Sequence, residues 1–246
     1  MSDRRSRIVE RGLRRTRRQW ESLGREDPLW GVLSLPEKKG NRWEVDDFLE
    51  TGRSEINSVM EDLGRLGIEP AGPALDVGCG AGRLTQALAA ELGRAVGVDV
   101  SSTMIAKARE LNRTPQTCAF QQTDGDGLAV FEDGSLGFVY SVLALQHSPR
   151  NVIEAYLHEF CRVVVNGGTL VFQVPTGKAS GPGAWRIRAN LRLRRAWRRM
   201  DIHYLPQERI ESILKHGSCR VVAGYPDWRA GGGWRSRTFV AIKDQA

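Results

Sequence analysis

The chain has 246 residues, which is enough to bury a full core as one domain with additional segments at its ends. No apolar run approaches the roughly 20 residues of a membrane-spanning helix, and the arginine-rich N-terminus lacks the apolar stretch of a secretory signal. The four cysteines are scattered, without a Cys-x-x-Cys motif and without a metal-like spacing to histidine. We therefore expect a protein of the reducing cytoplasm, without a metal site.

Positive charge is concentrated in two segments of the chain. The net charge is +7, and eight arginines lie between residues 4 and 18 and seven between residues 186 and 199. Such clusters indicate an acidic partner, which would be a nucleic acid, an anionic membrane surface or an anionic substrate. Solvated helix faces are the alternative explanation.

Residues 1–66 predict a helical N-terminal extension. Residues 25–45 have loop composition with embedded tryptophans, and residues 46–66 follow a helical period. We expect the extension to lie over the ligand site as a lid, and a solvated basic leader is the alternative for residues 1–24. Residues 1 to about 24 are predicted to form a basic amphipathic helix. Its least polar side chains lie at helical spacing, at Val9, Leu13, Thr16, Trp20 and Leu23.

From residue 74 onward, short apolar strands alternate with amphipathic helices. Apolar strands without polar alternation indicate burial on both faces of a sheet. The pattern therefore predicts a doubly wound α/β fold with a mostly parallel sheet. The first five predicted strands cover residues 74–77, 95–99, 117–122, 138–142 and 169–174, and the predicted helices between them cover about 82–92, 102–112 and 151–165.

This alternation is interrupted after the fifth strand by a predicted basic helical insertion at residues 176–205. Its helix is predicted at 184–200, with arginines four residues apart on one face. A helix at about 206–216 and strands at 219–224 and 237–242 follow. Because no helix joins the last two strands, we predict that they pair antiparallel.

A glycine-rich turn follows the first strand and carries the most specific pattern in the sequence. The segment has glycines at 78, 80 and 82, which let the backbone turn tightly and let a ligand approach the main chain closely. Asp76 precedes them at the end of the strand. Because a carboxylate would repel a phosphate at this place, the turn favours a ligand that carries positive charge.

Polar residues also follow the next strands, where open α/β sheets bind their ligands. Asp99 ends the second strand and can accept hydrogen bonds from both hydroxyls of a ribose, or can cap the following helix. Asp124-Gly125 follows the third strand and can meet an adenine edge, or can form a plain turn. His147 follows the fourth strand, where it can serve as a general base or as a loop histidine bonded to the backbone.

The run from residue 75 to 175 resembles the type 11/12 group of small class I methyltransferases, which use S-adenosylmethionine. The resemblance implies a Rossmann-like sheet of seven strands whose last strand is inserted antiparallel. It also implies an S-adenosylmethionine-binding domain at residues 67–246 behind the 1–66 extension. The matching segments are the glycine motif, Val98-Asp99-Val100-Ser101, Asp124-Gly125, Leu145-Gln146-His147-Ser148-Pro149 and Gly167-Gly168-Thr169-Leu170.

The resemblance implies a role for each matching position. The methionine part of the cofactor would be held by Asp76, Gly78, Gly80 and Gly82. The ribose would be bound by Asp99, the adenine flanked by Val100 and Met104, and the adenine edge met by Asp124 and Gly125. The sulfonium side would face Ser141, Val142 and His147.

Methyl transfer from a sulfonium is a single displacement, so the protein must mainly align the acceptor, exclude water and accept a proton. His147 is our first candidate for the base, and His203 is the second.

Three functions are compatible with these residues. The first is a methyltransferase that acts on a hydroxyl of a sugar, a glycolipid or a secondary metabolite. This small-molecule substrate would be anionic or lipid-linked. The others are an RNA methyltransferase that uses its arginines for phosphate contact, and a non-catalytic cofactor-binding protein.

Overall fold

The computed structural model describes residues 14, 16–123, 127–181, 183–184, 187 and 201–245. The strands in these ranges are β1 Ala74–Val77, β2 Ala95–Asp99, β3 Cys118–Gln122, β4 Leu136–Ser141, β5 Val164–Lys178, β6 Cys219–Asp227 and β7 Trp234–Lys243. The helices are α1 16–26, α2 Pro28–Val32, α3 Val45–Arg65, α4 Arg83–Leu92, α5 Ser102–Glu110, α6 Arg150–Val163 and α7 Gln207–His216. Two 3₁₀ turns cover Pro36–Lys38 and Leu145–His147.

The strands form one seven-stranded sheet in the order β3-β2-β1-β4-β5-β7-β6. Strands β1 to β5 pair in parallel, and β7 is antiparallel to both β5 and β6. This confirms the predicted mostly parallel sheet with an antiparallel last strand. Because the strand order reverses between β1 and β4, a crevice opens at their carboxyl ends, which is where ligands bind in such sheets.

Each face of the sheet carries its own apolar core. Phe160 of α6, Phe172 of β5 and Phe239 of β7 pack together on one face, where the rings of Phe172 and Phe239 stack at 5.4 Å. Phe138 and Tyr140 of β4 belong to the core of the opposite face, with side chains from α3, α4 and α5. The central strands are therefore covered on both sides, as their uniform apolar runs predict.

The segment before the sheet differs from the expected loop over residues 25–45. Helix α2 begins at Pro28. Proline is favourable at the first helical position, because the N–H that it lacks would have no hydrogen-bond partner within the helix. The Asp27 carboxylate then accepts hydrogen bonds from the N–H groups of Gly40 at 2.6 Å and Asn41 at 3.1 Å. These bonds tie the two ends of the segment together.

Strand β5 is longer than the predicted 169–174. Its last residues pair with β7, as far as Lys178 opposite Trp234. Its first residue, Val164, pairs with Leu136, so helix α6 ends at Val163 rather than at 165. The local sequence did not indicate these extensions because they depend on partners distant in the chain.

The arginines of the helix predicted at 184–200 lie outside the described residues, as does the N-terminal segment before Arg14. Among the helices that the structure describes, none has both the length and the apolar content needed to cross a membrane.

Candidate functional site

A cleft opens at the carboxyl ends of β1, β2 and β4. Its walls come from the glycine loop after β1, the end of β2, the turn after β4 and helix α1. The lining side chains and backbone belong to Thr16, Trp20, Val32, Val77, Gly78, Cys79, Gly80, Arg83, Leu84, Val98, Asp99, Val100, Thr123, Val142, Leu143, Ala144, Leu145, Ser148 and Tyr156.

The glycine loop is held between two walls of the cleft. Gly78 and Gly80 have φ values of 79° and 52°, in the left-handed region that favours glycine. A Cβ at Gly78 would collide with the Cβ of Ala144, and a Cβ at Gly80 would lie 2.6 Å from Cγ2 of Val32. The loop therefore offers backbone rather than side chains to a ligand.

The carboxylate of Asp99 faces this loop from the end of β2. Its Oδ2 accepts a hydrogen bond from the Gly80 N–H at 3.0 Å, and its Oδ1 accepts one from the Ser101 N–H at 2.8 Å. The side chain of Ser101 caps α5, by accepting from the Met104 N–H at 3.3 Å. Burial raises the pKa of Asp99 to about 6. Because a carboxylate oxygen has more than one acceptor position, Asp99 retains capacity for ligand hydroxyls.

Asp76 is only 1% exposed and, within the described part of the chain, is not a lining residue of the cleft. Its Oδ2 accepts a hydrogen bond from the Thr85 hydroxyl at 2.7 Å, which fixes the first turn of α4 against β1. Burial raises the pKa of Asp76 to about 7. Asp76 can therefore act on a ligand in the cleft through its charge and through the glycine loop it supports.

The remaining predicted cofactor residues fall into three groups. Val100 and Val142 line the cleft. Gly82, Met104 and Ser141 are buried outside the lining that the structure describes, and the Ser141 hydroxyl donates to the Val77 carbonyl at 2.9 Å. Asp124 and Gly125 lie outside the described residues.

The ring of His147 lies next to the cleft, behind Trp20. The two rings meet edge to face with centroids 5.5 Å apart. Its Nε2 lies 3.1 Å from the amide nitrogen of Gln146, and its Nδ1 lies 3.3 Å from the carbonyl of Asp201. Burial lowers the pKa of His147 to about 4, so the ring is neutral at pH 7. The other predicted base, His203, donates its backbone N–H to the Gln146 carbonyl at 2.8 Å.

Arg83 is a lining residue that the sequence analysis missed. It is 2% exposed and forms an ion pair with Glu55 of α3 at 2.8 Å, while its Nε is buried without a hydrogen-bond partner. Glu55 also pairs with Arg229 at 2.7 Å and accepts from the Tyr140 hydroxyl at 3.1 Å. The helix dipole disfavours a positive charge at the first position of α4. An arginine at this position therefore indicates that a carboxylate lies nearby, and this signal was present in the sequence.

Helix α1 covers one side of the cleft. Thr16 and Trp20 face the cleft, and the Thr16 hydroxyl donates to the His147 carbonyl at 3.2 Å. One turn further along, Glu21 accepts from the N–H of Ser102 at 2.6 Å and from its hydroxyl at 2.9 Å. The Glu21 carboxylate thus lies at the N-terminus of α5, where a negative charge is stabilised.

Comparison with known proteins gives this cleft a chemical context. Residues 74–168 match the family model described as a methyltransferase domain. The chain is 31% identical over 154 residues to the 2-methyl-6-phytyl-1,4-hydroquinone methyltransferase of Synechocystis sp., covering 62% of this chain and 48% of the relative. It is 32% identical over 134 residues to the ubiquinone biosynthesis O-methyltransferase of Methylococcus capsulatus, covering 53% and 54%. The chain thus spans about half the length of these curated relatives.

The fold has a solved counterpart in the magnesium protoporphyrin IX methyltransferase of Synechocystis PCC 6803 with bound SAH. The two share a TM-score of 0.64 at 18% identity, over 93% of this chain and 98% of that one. At this identity the likeness concerns the fold. The family match, the curated relatives and the sheet order agree, and residues 74–168 are thus a methyltransferase domain of the class I S-adenosylmethionine-dependent kind.

Proposed function

We propose that this protein transfers a methyl group from S-adenosylmethionine to a small-molecule acceptor. The observation that carries the proposal is the cleft at the switch point of the sheet, where the Asp99 carboxylate meets the glycine loop opposite the turn after β4. The matched methyltransferase domain contains all three of these features.

The charges around the cleft fit this cofactor. Asp99 and Asp76 are carboxylates whose pKa values are raised by burial, to about 6 and about 7. A cationic ligand would favour their ionised forms, and the sulfonium and ammonium groups of S-adenosylmethionine are cationic. Arg83 is the positively charged residue among the lining residues that the structure describes. Its Nε has no hydrogen-bond partner and could donate to the carboxylate of the cofactor's methionine part.

In the proposed complex the predicted residues keep their roles, and those buried outside the described lining act from behind the residues that line the cleft, namely Asp76, Gly82, Met104 and Ser141. Asp99 accepts the ribose hydroxyls, while Val100 and Met104 flank the adenine. Asp124 and Gly125 meet the adenine edge. The methionine part lies along Asp76, Gly78, Gly80 and Gly82, with Arg83 added as the partner of its carboxylate, and Ser141 and Val142 face the sulfonium.

The bound cofactor supplies an activated methyl group on a sulfonium, and the chain supplies alignment and a dry site. Thr16 and Trp20 of α1 line the cleft together with Val142 and Leu143 of the turn after β4, and these side chains limit the access of water to a bound ligand. His147 remains our first candidate to accept a proton because its ring is neutral, and its pKa of about 4 makes it a weak base in the unliganded chain. To accept a proton it must give up the Gln146 hydrogen bond at Nε2, and His203 is the second candidate.

For the acceptor we propose a hydroxyl oxygen of a small metabolite, with a sugar, a glycolipid and a secondary metabolite as the classes to test. One curated relative is named as an O-methyltransferase of ubiquinone biosynthesis, which supports an oxygen acceptor. An anionic or lipid-linked acceptor would suit the arginine-rich segments, as would contact with an anionic membrane surface from the cytoplasm.

The proposal is tested by methyl transfer from tritium-labelled S-adenosylmethionine to separate pools of hydroquinones and phenols, sugars and glycolipids, and RNA. We expect label in a small-molecule pool, and loss of that label in Asp99→Ala. Label in RNA alone, with retention of RNA that weakens steeply with salt, would favour the RNA methyltransferase alternative. If the protein does not bind S-adenosylmethionine, both readings are wrong.

A further inference from the structure

Leu143 is held in an unusual backbone conformation at the wall of the cleft. It directly follows Val142 at the end of β4 and has a φ of 62°, although it is not glycine. A non-glycine residue in the left-handed region costs about 1–3 kcal/mol and persists where the surroundings hold it. Its neighbour Ala144 packs on Gly78, so the conformation of this turn sets how closely the wall approaches the glycine loop.

The group that holds Leu143 is the buried amide of Gln173 on β5. The Leu143 N–H donates to Oε1 of Gln173 at 3.0 Å. The Nε2 of Gln173 donates to the Ser236 hydroxyl at 2.6 Å and to Oε1 of Gln146 at 3.3 Å. Gln173 is 0% exposed and Gln146 is 4% exposed, so both amides lack water as an alternative partner.

The hydrogen bonds continue from Gln146 to His147 and have one consistent direction. Because a backbone N–H only donates, Leu143 fixes the orientation of the Gln173 amide, which in turn fixes Gln146. The Nε2 of Gln146 must then donate to the Nε2 of His147. The His147 proton is left on Nδ1, where it donates to the Asp201 carbonyl, a group that only accepts.

His147 also contacts the helix that covers the cleft. Its carbonyl accepts from the Thr16 hydroxyl, and its ring packs on Trp20. The end of the predicted insertion joins at the same place, since the His203 N–H donates to the Gln146 carbonyl. Helix α1, the end of the predicted insertion and the strained wall of the cleft therefore all connect to Gln146 or to its neighbour His147.

We infer that Gln146 and Gln173 are positioning residues of the methyl-transfer cleft, which join the seating of helix α1 to the conformation of the Leu143 turn. The inference rests on the proposed function for the identity of the ligand. The network itself is a property of the unliganded chain.

The first test is the tautomer of His147, read from the ¹⁵N chemical shifts of its ring in the unliganded protein. We expect the proton on Nδ1 in the natural chain. In Gln146→Met the Asp201 carbonyl still accepts from Nδ1–H, so we expect the same tautomer with a changed ¹⁵N shift of the unprotonated Nε2, which has lost its amide donor. A His147 ring that carries its proton on Nε2 in the natural chain would overturn the inference, and so would an unchanged Nε2 shift in Gln146→Met.

The second test is the affinity for S-adenosylhomocysteine, measured by calorimetry. We expect Gln146→Met and Gln173→Met each to weaken binding by about tenfold, which is a typical coupling between two parts of a site. Ser236→Ala is the matched control. It removes the hydrogen bond from Gln173 Nε2 to the Ser236 hydroxyl and leaves the bond from Gln173 Nε2 to Gln146 in place. It should lower stability but keep the tautomer and the affinity.

These outcomes separate the inference from the proposed function. If Gln173→Met does not fold, Gln146→Met decides the question alone. Equal affinity in Gln146→Met, Ser236→Ala and the natural chain would overturn the positioning role. If the natural chain does not bind S-adenosylhomocysteine, the proposed function fails, and the ¹⁵N shifts of His147 in the natural chain and in Gln146→Met still decide whether the network exists.

Discussion

Asp99 is the residue at which the backbone of the cleft and the proposed ligand meet. Its two oxygens accept hydrogen bonds from Gly80 on one side and Ser101 on the other, so the carboxylate is fixed in place before any ligand binds. A fixed carboxylate loses little entropy when it accepts hydroxyl donors. This single side chain therefore links the shape of the glycine loop to ligand recognition.

The raised pKa of Asp99 predicts how ligand binding depends on pH. Burial raises it from 3.8 to about 6 in the folded chain. Protonated Asp99 therefore stabilises the unliganded fold. This stabilisation is complete at pH values below 3.8, the pKa of Asp99 in the unfolded chain, and is lost as pH rises through about 6, its pKa in the folded chain. Hydroxyl donors favour the ionised carboxylate, so we expect the rise in Tm caused by S-adenosylhomocysteine to grow between about pH 5 and pH 7.

Asp99→Asn is the control for this pH dependence, because an amide of the same shape does not titrate. We expect a smaller thermal shift in this variant, without the step near pH 6. Asp76, whose pKa is about 7, would then account for any remaining slope. A natural protein whose thermal shift is the same at all these pH values would contradict the assignment.

At the scale of secondary structure, helix α1 is attached to the domain at two places. Glu21 bonds to the N-terminus of α5, while Thr16 and Trp20 contact His147. Gly24 allows the helix to approach closely, because a Cβ there would collide with the hydroxyl of Thr103. The helix is therefore seated over the cleft by contacts to two different elements, which suits a lid.

Glu21→Gln is expected to loosen this helix. Burial tends to raise the pKa of Glu21, but the bonds from Ser102 and Thr103 outweigh it and lower the pKa below its ordinary value. Loss of this charge at the start of α5 should cost about 1 kcal/mol and should speed hydrogen exchange in residues 16–26. The stabilisation by Glu21 should also disappear as pH falls through its lowered pKa.

Glu26→Gln is the matched control on the same helix, because Glu26 accepts from Ser22 within α1. It should leave the exchange rate of residues 16–26 near that of the natural chain. If Glu21→Gln and Glu26→Gln exchange alike, α1 is not seated by the contact to α5.

At the scale of the whole molecule, a charged cluster joins three distant parts of the chain. Glu55 lies on α3, Arg83 begins α4, and Arg229 lies in the loop between β6 and β7. Burial alone would raise the pKa of Glu55, but the two guanidinium groups lower it below its ordinary value. The N-terminal extension is thus held to the sheet by charge as well as by its apolar face.

Glu55→Gln should therefore destabilise the protein strongly, because it leaves Arg83 buried without a counter-charge. Removal of one partner of a buried ion pair costs about 3–5 kcal/mol, measured here as a change in the urea midpoint of unfolding. Glu50→Gln on the same helix breaks an exposed pair with Arg53 and should cost about 0.5 kcal/mol or less. Similar losses in both variants would show that the cluster does not hold the extension.

The sequence predicted the elements whose signal is local. The strand ends at Val77 and Asp99 and the order of strands and helices follow from apolar runs, glycines and turn residues close in the chain. The antiparallel pairing of the last two strands followed from the lack of a helix between them, whereas the insertion of the last strand into the sheet was implied by the resemblance to the class I methyltransferases.

Features that depend on distant partners were not predictable in this way. The ends of β5 depend on β7, and the role of Arg83 depends on Glu55, which lies on a different helix. The hydrogen-bonded chain from Leu143 to Asp201 joins residues from three separate segments. No local period or motif encodes such contacts, because they arise only when the sheet has formed.

In our proposal the cleft binds S-adenosylmethionine through Asp99, and calorimetric titration measures this binding without any assumption about the acceptor. We expect the natural chain to bind S-adenosylmethionine at one site, and we expect Asp99→Ala to lose that binding while keeping its fold, as checked by circular dichroism. Binding that survives unchanged in Asp99→Ala would contradict the assignment of the ribose site, and a natural chain that does not bind the cofactor would contradict the account as a whole.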